Sequence, residues 1–160
     1  MKLATLCYLT HGNKTLMLNR NKNADDIHLG KWNGLGGKLL AGESPEECVI
    51  REVKEESGFE INHPTIRGIL TFPQFADNED WYVYVFTAEA ALDQVHNKSL
   101  ISCSEGTLQW IETSKLLSLN LWEGDKYFLD WIQQKRFFSA KFNYIDKKLI
   151  SHQVVFHNND

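Results

Sequence analysis

Several things are scarce in this chain, and each scarcity narrows its role. Cysteine occurs three times, at Cys7, Cys48 and Cys103, an odd number with no CxxC spacing. No disulfide framework is indicated, and buried reduced thiols of a cytoplasmic protein are the simplest account. Long apolar runs are lacking too. The opening MKLATLCYLT is too short for a signal peptide or a membrane span and reads as a first strand. Positive charge is in deficit, with 17 Lys and Arg against 21 Asp and Glu, which argues against nucleic acid or an anionic membrane as partner. The six histidines (His11, His28, His63, His96, His152 and His157) lack metal-ligand spacing. His152 and His157, five apart, would face opposite ways on a strand. Gly34, Gly36 and Gly37 lack the GK[ST] that a phosphate-cradling P-loop requires and read as a tight bend. There is no repeat, linker or low-complexity tract, and 160 residues fit one domain spanning 1–160, with a core burying roughly two thirds of its unfolded surface.

What the chain does have is a crowd of acid. Glu43, Glu46, Glu47, Glu52, Glu55 and Glu56 lie inside a 14-residue stretch. Ser44 with Glu47 three residues on forms a capping box, Pro45 suits the first helical position and Gly58 supplies a stop. A helix over Pro45–Ser57 follows. On it Glu52, Glu55 and Glu56 share a face, beside an apolar stripe of Val49, Ile50 and Val53. Glu46 and Glu47 are explained by the helix dipole, but Glu55 and Glu56 in the last turn oppose it. Two carboxylates about 6 Å apart repel by about 3 kcal/mol at an effective dielectric near 20. A solvated face is the bland alternative. A hard divalent cation, Mg²⁺ or Mn²⁺, relieves the repulsion and suits oxygen-only ligands.

These residues match a known signature. Gly37, Glu43 and the run Arg51-Glu52-Val53-Lys54-Glu55-Glu56-Ser57-Gly58-Phe59 resemble a complete Nudix box. The resemblance implies a metal-dependent hydrolase of nucleoside diphosphates linked to another moiety. It also implies an α/β (α+β) fold, an α/β/α sandwich with a mixed sheet and the box helix at about 45–57. Alternating strands and helices read from the sequence agree: strands at Lys2–Thr10, Lys14–Asn19, Thr65–Phe75, Trp81–Glu89, Gly106–Glu112, Phe137–Tyr144 and Leu149–His157, and helices at Thr113–Ser118 and Gly124–Lys135.

Trp32-Asn33-Gly34-Leu35-Gly36-Gly37-Lys38, together with Trp122-Glu123-Gly124-Asp125 and the FFSAKF strand, looks like the MutT-type 8-oxo-dGTP diphosphatases. The resemblance implies that Asn33 and Asp125 read the purine edge and Trp122 stacks on the base, with Phe72 and Lys38 also facing substrate. It implies metal held by Glu52, Glu55, Glu56 and a carbonyl of Gly36 or Gly37, with Glu105 a further metal ligand or the general base. Arg51 and Glu43 would orient those glutamates. From the residues alone, Trp122 and Phe72 also fit ordinary core, Arg51–Glu55 also fits a helix salt bridge, and Glu105 is a loop acid. Where mammalian members carry two adjacent acids after the tryptophan, this chain has Gly124-Asp125. That leaves guanine-type recognition and argues against 2-oxo-adenine. The expected partner is a small-molecule nucleotide, and the expected state a monomer. An unmodified nucleotide, a pterin triphosphate or a capped RNA end is the rival substrate. A non-catalytic sensor is the rival class, but it would not need all three helix glutamates.

Overall fold

The computed structural model describes residues 1–97, 100 and 103–157. Its elements run β1 (Lys2–His11), β2 (Lys14–Asn19), β3 (Trp32–Asn33), α1 (Pro45–Ser57), β4 (Thr65–Ala76), β5 (Glu79–Glu89), α2 (Leu92–Asn97), β6 (Thr107–Glu112), a 3₁₀ turn (Thr113–Ser118), α3 (Asp125–Gln133), β7 (Phe137–Ile145) and β8 (Lys148–His157). The strands form one mixed sheet in the order β3-β2-β1-β5-β4-β7-β8, with β6 paired to β2. β1 runs parallel to β5 and β4 parallel to β7. Among the described residues no helix is long and apolar enough to cross a membrane.

Strand alternation divides the core into two layers. Cys7, Leu9, Leu16, Leu18 and Phe86 face one side and pack under Val49 and Val53 of α1. Tyr8, Met17 and Val85 face the other, where Phe128, Leu129 and Trp131 of α3 meet Phe138 and Phe142 of β7. The sandwich expected from the sequence is present, with the sheet between α1 and α3. All three cysteines are buried and unpaired.

α1 begins and ends as its sequence requires. Ser44 Oγ accepts from the Glu47 N–H, the Glu47 carboxylate accepts from the Ser44 N–H, and Gly58 adopts φ 79° with its N–H donating to Lys54 O. Other boundaries shift. Asp77 and Asn78 both take φ 54°, a two-residue turn tight enough to carry β4 on to Ala76 and to start β5 at Glu79. Thr113–Ser118, expected as a helix, is a 3₁₀ turn. The short β3 and α2 are additions.

β3 is small but sets up the site. β6 pairs with β2 along its whole length, from Lys14↔Glu112 to Asn19↔Thr107. β1 holds the other edge of β2 only at Leu16, Thr15 and Lys14. It then diverges, and β3 takes over at Leu18 and Asn19. The chain after β3 runs down the gap, bridging Cys7↔Leu35 and Ala4↔Lys38. The glycine-rich segment is therefore stitched into the sheet as it leads to α1.

Candidate active site

The stitching is tight enough to require glycine. A Cβ at Gly36 would collide with the Thr5 carbonyl, and one at Gly37 with the Glu52 carboxyl carbon. Glu52 of α1 can thus lie directly against the segment backbone. Glu56, one turn on, is buried at 8% exposure and its Oε1 accepts the Gly36 N–H at 2.8 Å. Burial, reinforced by the charges of Glu105 and Glu52, pushes Glu56 up to about 8, against the opposing Gly36 hydrogen bond and Arg20.

Arg51 organises the remaining acids. Its Nε and Nη2 bind both oxygens of Glu43 at 2.6 and 3.0 Å, its Nη1 donates to Glu52 at 2.7 Å and Glu55 at 3.3 Å, and Nη2 also reaches Lys38 O at 3.2 Å. The helix salt bridge to Glu55 exists, but it is the longest of the carboxylate contacts. The Arg51 hydrogen bonds hold Glu43 down at about 2. Glu105, in the loop before β6, lies 3.4 Å from Arg20, which also binds Asp26 at 2.7 Å. Gly106 permits this placement, since a Cβ there would strike Asn19 O.

The acids fit a hard cation by chemistry more than by present arrangement. Their donors are all oxygen, and Glu56 feels the charges of Glu105 and Glu52. Among the described residues no three His, Cys, Asp or Glu side chains gather around one point. Arg51 draws Glu52 and Glu55 to itself. Of the two glycine carbonyls, Gly37 O already accepts from Thr5 N at 2.9 Å and lies 3.6 Å from Cys48 Sγ, which favours Gly36 as the carbonyl ligand.

From Gly36 and Gly37 a cavity of about 510 Å³ extends between the sheet and α3, and its lining includes Asn33, Lys38, Phe72, Glu105, Trp122 and Asp125. Every residue expected to face substrate meets here. Arg51, Glu52, Glu55 and Glu56 stand behind Gly36 and Gly37, outside the lining. Asn33 Nδ2 is buried with no hydrogen-bond partner. Asp125 is buried at 7% exposure, and burial raises its carboxyl to about 8 against the charge of Lys31. Raised in this way, the carboxyl is mostly protonated at pH 7, able to donate and to accept. Trp122 is 5% exposed and also lines the cavity, so it belongs to the core and to the cavity wall at once. Phe72 is likewise shared, stacked on Phe142 at 6.0 Å. Lys38 Nζ sits 5.3 Å from the Trp81 ring centroid.

Position 124 has a steric reason to be glycine. Its N–H donates to Tyr144 Oη at 2.7 Å, and a Cβ would come within 2.7 Å of that oxygen and 2.8 Å of the Phe142 ring. Sequence reasoning missed Arg20, Asp26, His28, Phe75 and Tyr144, all of which line the cavity. The first three lie in the polar stretch between β2 and β3, where no local pattern marks them.

Comparisons with known proteins agree with this geometry. The family profile described as NUDIX domain matches residues 1–132. An oxidized purine nucleoside triphosphate hydrolase of Mus musculus is 32% identical over 121 residues, 76% of this chain and 74% of its own. A Nudix hydrolase of Bacillus subtilis, YvcI, is 30% identical over 138 residues, 84% of this chain and 80% of its own. The crystal structure of a MutT protein from Bacillus halodurans aligns with a TM-score of 0.81 at 26% identity, covering 96% of this chain and 97% of that one.

Proposed function

The chain belongs to the Nudix hydrolase family, in its MutT-type branch, and on that premise we propose that it hydrolyses an oxidised purine nucleoside triphosphate, such as 8-oxo-dGTP, to the monophosphate and pyrophosphate. The observation that carries this reading is that Asn33 Nδ2, buried and unpartnered, shares one cavity with the buried Asp125 carboxyl beside Trp122. An orphaned buried donor costs stability unless something binds it. An amide and a neutral carboxyl, each a donor and an acceptor, complement the alternating donors and acceptors of a guanine-type edge. An indole supplies the flat surface on which a base stacks. The name of the mouse relative supports the same substrate class.

Nudix hydrolases work with divalent metals, and here Glu52, Glu55, Glu56 and the Gly36 carbonyl would hold Mg²⁺ or Mn²⁺. When bound, the ion supplies charge neutralisation on the triphosphate and polarisation of a phosphoryl oxygen. The rest is done by the chain. Arg51 sets the Glu52 and Glu43 carboxylates through close hydrogen bonds, a positioning role. The Gly36 N–H orients Glu56 through Oε1. Glu105, tethered by Arg20 and 46% exposed, accepts the proton of the attacking water. Asn33, Asp125 and Trp122 hold the base, fixing which end of the nucleotide meets the acids.

The direct test compares pyrophosphate release from 8-oxo-dGTP and dGTP at low micromolar concentration with Mg²⁺. The expected result is a kcat/KM preference of at least about tenfold for the oxidised base, since buried polar groups discriminate strongly between partners that pair with them and partners that do not. Equal rates would remove the lesion-reading pocket and leave the Nudix chemistry.

A further prediction concerns Gly37. The added methyl of Gly37→Ala would displace the Glu52 carboxylate. A loss of about 100-fold in kcat, with KM little changed, is expected from misplacing a reacting group by about 1 Å. Turnover assayed beside a thermal melt checks it, and wild-type turnover would refute the close approach of Glu52 to the backbone.

A further inference from the structure

The indole of Trp122 depends on a residue 94 positions earlier: its Nε1–H donates to Nδ1 of His28 at 2.9 Å. Both side chains line the cavity. The imidazole stacks on Phe75, with centroids 6.1 Å apart and planes at 24°, and Phe75 meets Trp122 at 5.0 Å. The His28 and Trp122 planes cross at 83°. Three rings thus close on one another, and only the His28–Trp122 contact among them is a hydrogen bond.

The loop holds His28 from behind. Its backbone N–H donates to Asp26 Oδ1 at 3.0 Å, and Asp26 Oδ2 is bound by Arg20 at 2.7 Å. Accepting at Nδ1 requires an unprotonated Nδ1 and places the ring proton on Nε2. Burial, and then the charge of Arg20, lower His28 to about 4 against the pull of Asp26, so the acceptor persists across the physiological range. Deprived of that acceptor, the mostly buried indole N–H would need another, and turning the ring is the way to find one.

We propose that His28 is a positioning residue for base recognition: by accepting the Trp122 N–H it fixes the plane on which the purine stacks, and it takes no part in phosphate hydrolysis. This rests on the reading above that the aromatic end of the cavity receives the base.

Two variants separate the acceptor from the ring. His28→Phe keeps aromatic area against Phe75 and removes the acceptor. His28→Asn gives up the ring and restores an acceptor oxygen close to where Nδ1 stood. With 8-oxo-dGTP, His28→Phe is expected to raise KM about tenfold, the equivalent of one lost hydrogen bond, with kcat within about threefold of wild type. His28→Asn is expected to recover most of that loss. The indole N–H resonance of Trp122, assigned by its disappearance in Trp122→Phe, gives a readout without ligand. It should lose protection from hydrogen exchange in His28→Phe and keep it in His28→Asn. Should phenylalanine prevent folding, His28→Leu takes its place.

An unchanged KM in a folded His28→Phe protein would overturn the proposal, as would a fall in kcat at constant KM. An equal rise in KM and an equal loss of indole protection in both variants would overturn the acceptor role. If wild type itself shows no preference for purine triphosphates, the base-pocket reading fails first. The indole resonance then still reports whether His28 holds Trp122, so the two failures are told apart.

Discussion

Replacing Glu56 by glutamine is expected to lower turnover by about a thousandfold or more and, in metal-free protein, to raise the melting temperature. The first effect follows from charge. Glutamine keeps the shape and an oxygen for the Gly36 N–H, but it is no anion and neither binds a hard cation well nor stabilises one at the triphosphate. Removing one preorganised group that stabilises transition-state charge costs about 10²- to 10³-fold, and losing a full negative charge beside the cation puts Glu56 at the upper end or beyond. The second effect follows from burial. Glu56 titrates near 8 in the folded chain against an ordinary 4.5, so between those values the folded state binds more protons than the unfolded state. Stability contributed at this site is therefore present at low pH and lost as pH rises through about 8. Melts at pH 5 and pH 8 in chelator should show wild type falling more than Glu56→Gln. Near-normal rates with Mg²⁺ would sink the assignment of Glu56, and identical pH slopes would sink the account of its burial.

Asp125 should give the other large effect, and its two obvious variants should not behave alike. Its carboxyl is raised to about 8 by burial, so at pH 7 it is a neutral group that donates from one oxygen and accepts at the other. An amide has the same pattern. Asp125→Asn is therefore expected to keep kcat/KM on 8-oxo-dGTP within about tenfold, whereas Asp125→Ala should lose about a hundredfold or more, because the base would be left with an unmatched edge. In wild type, KM should climb as pH passes about 8 and the acid loses the proton it donates, and Asp125→Asn should flatten that climb. Steady-state kinetics from pH 6.5 to 9 decide it. If asparagine is as damaging as alanine, Asp125 works as an anion. The stability sign runs the same way as for Glu56: the raised carboxyl destabilises the fold increasingly from about pH 4 to pH 8, so Asp125→Asn should melt higher at pH 7.

The helix with its acids was legible because its code is local. Ser44, Pro45, Glu47 and Gly58 mark its ends within a turn of themselves, and the acid spacing is a fact of helical geometry. Strand alternation was legible for the same reason, in Cys7, Tyr8 and Leu9 pointing to opposite layers. The pocket was legible only by resemblance. Asn33 comes from β3, Trp122 from the turn before α3 and Asp125 from its first residue, and nothing local says that they will meet. His28 could not be found at all, because its meaning lies in a bond to a residue 94 positions away. The β4–β5 turn was blurred for a subtler reason: Asp77 and Asn78 adopt left-handed backbone that aspartate and asparagine tolerate, so the strands run closer to the turn than the polar composition implies.

The three thiols described as buried have a bearing on durability. Burial, helped by the charge of Glu56, lifts Cys7 to about 12, and burial also raises Cys48 beneath Arg51. Peroxide attacks thiolates rather than thiols, and it must reach them. A chain that buries Cys7, Cys48 and Cys103 in its core presents no cysteine sulfur on its surface among the described residues. Should the proposed oxidised nucleotide be the substrate, the peroxide chemistry that makes it would meet no exposed cysteine among the described residues of this fold.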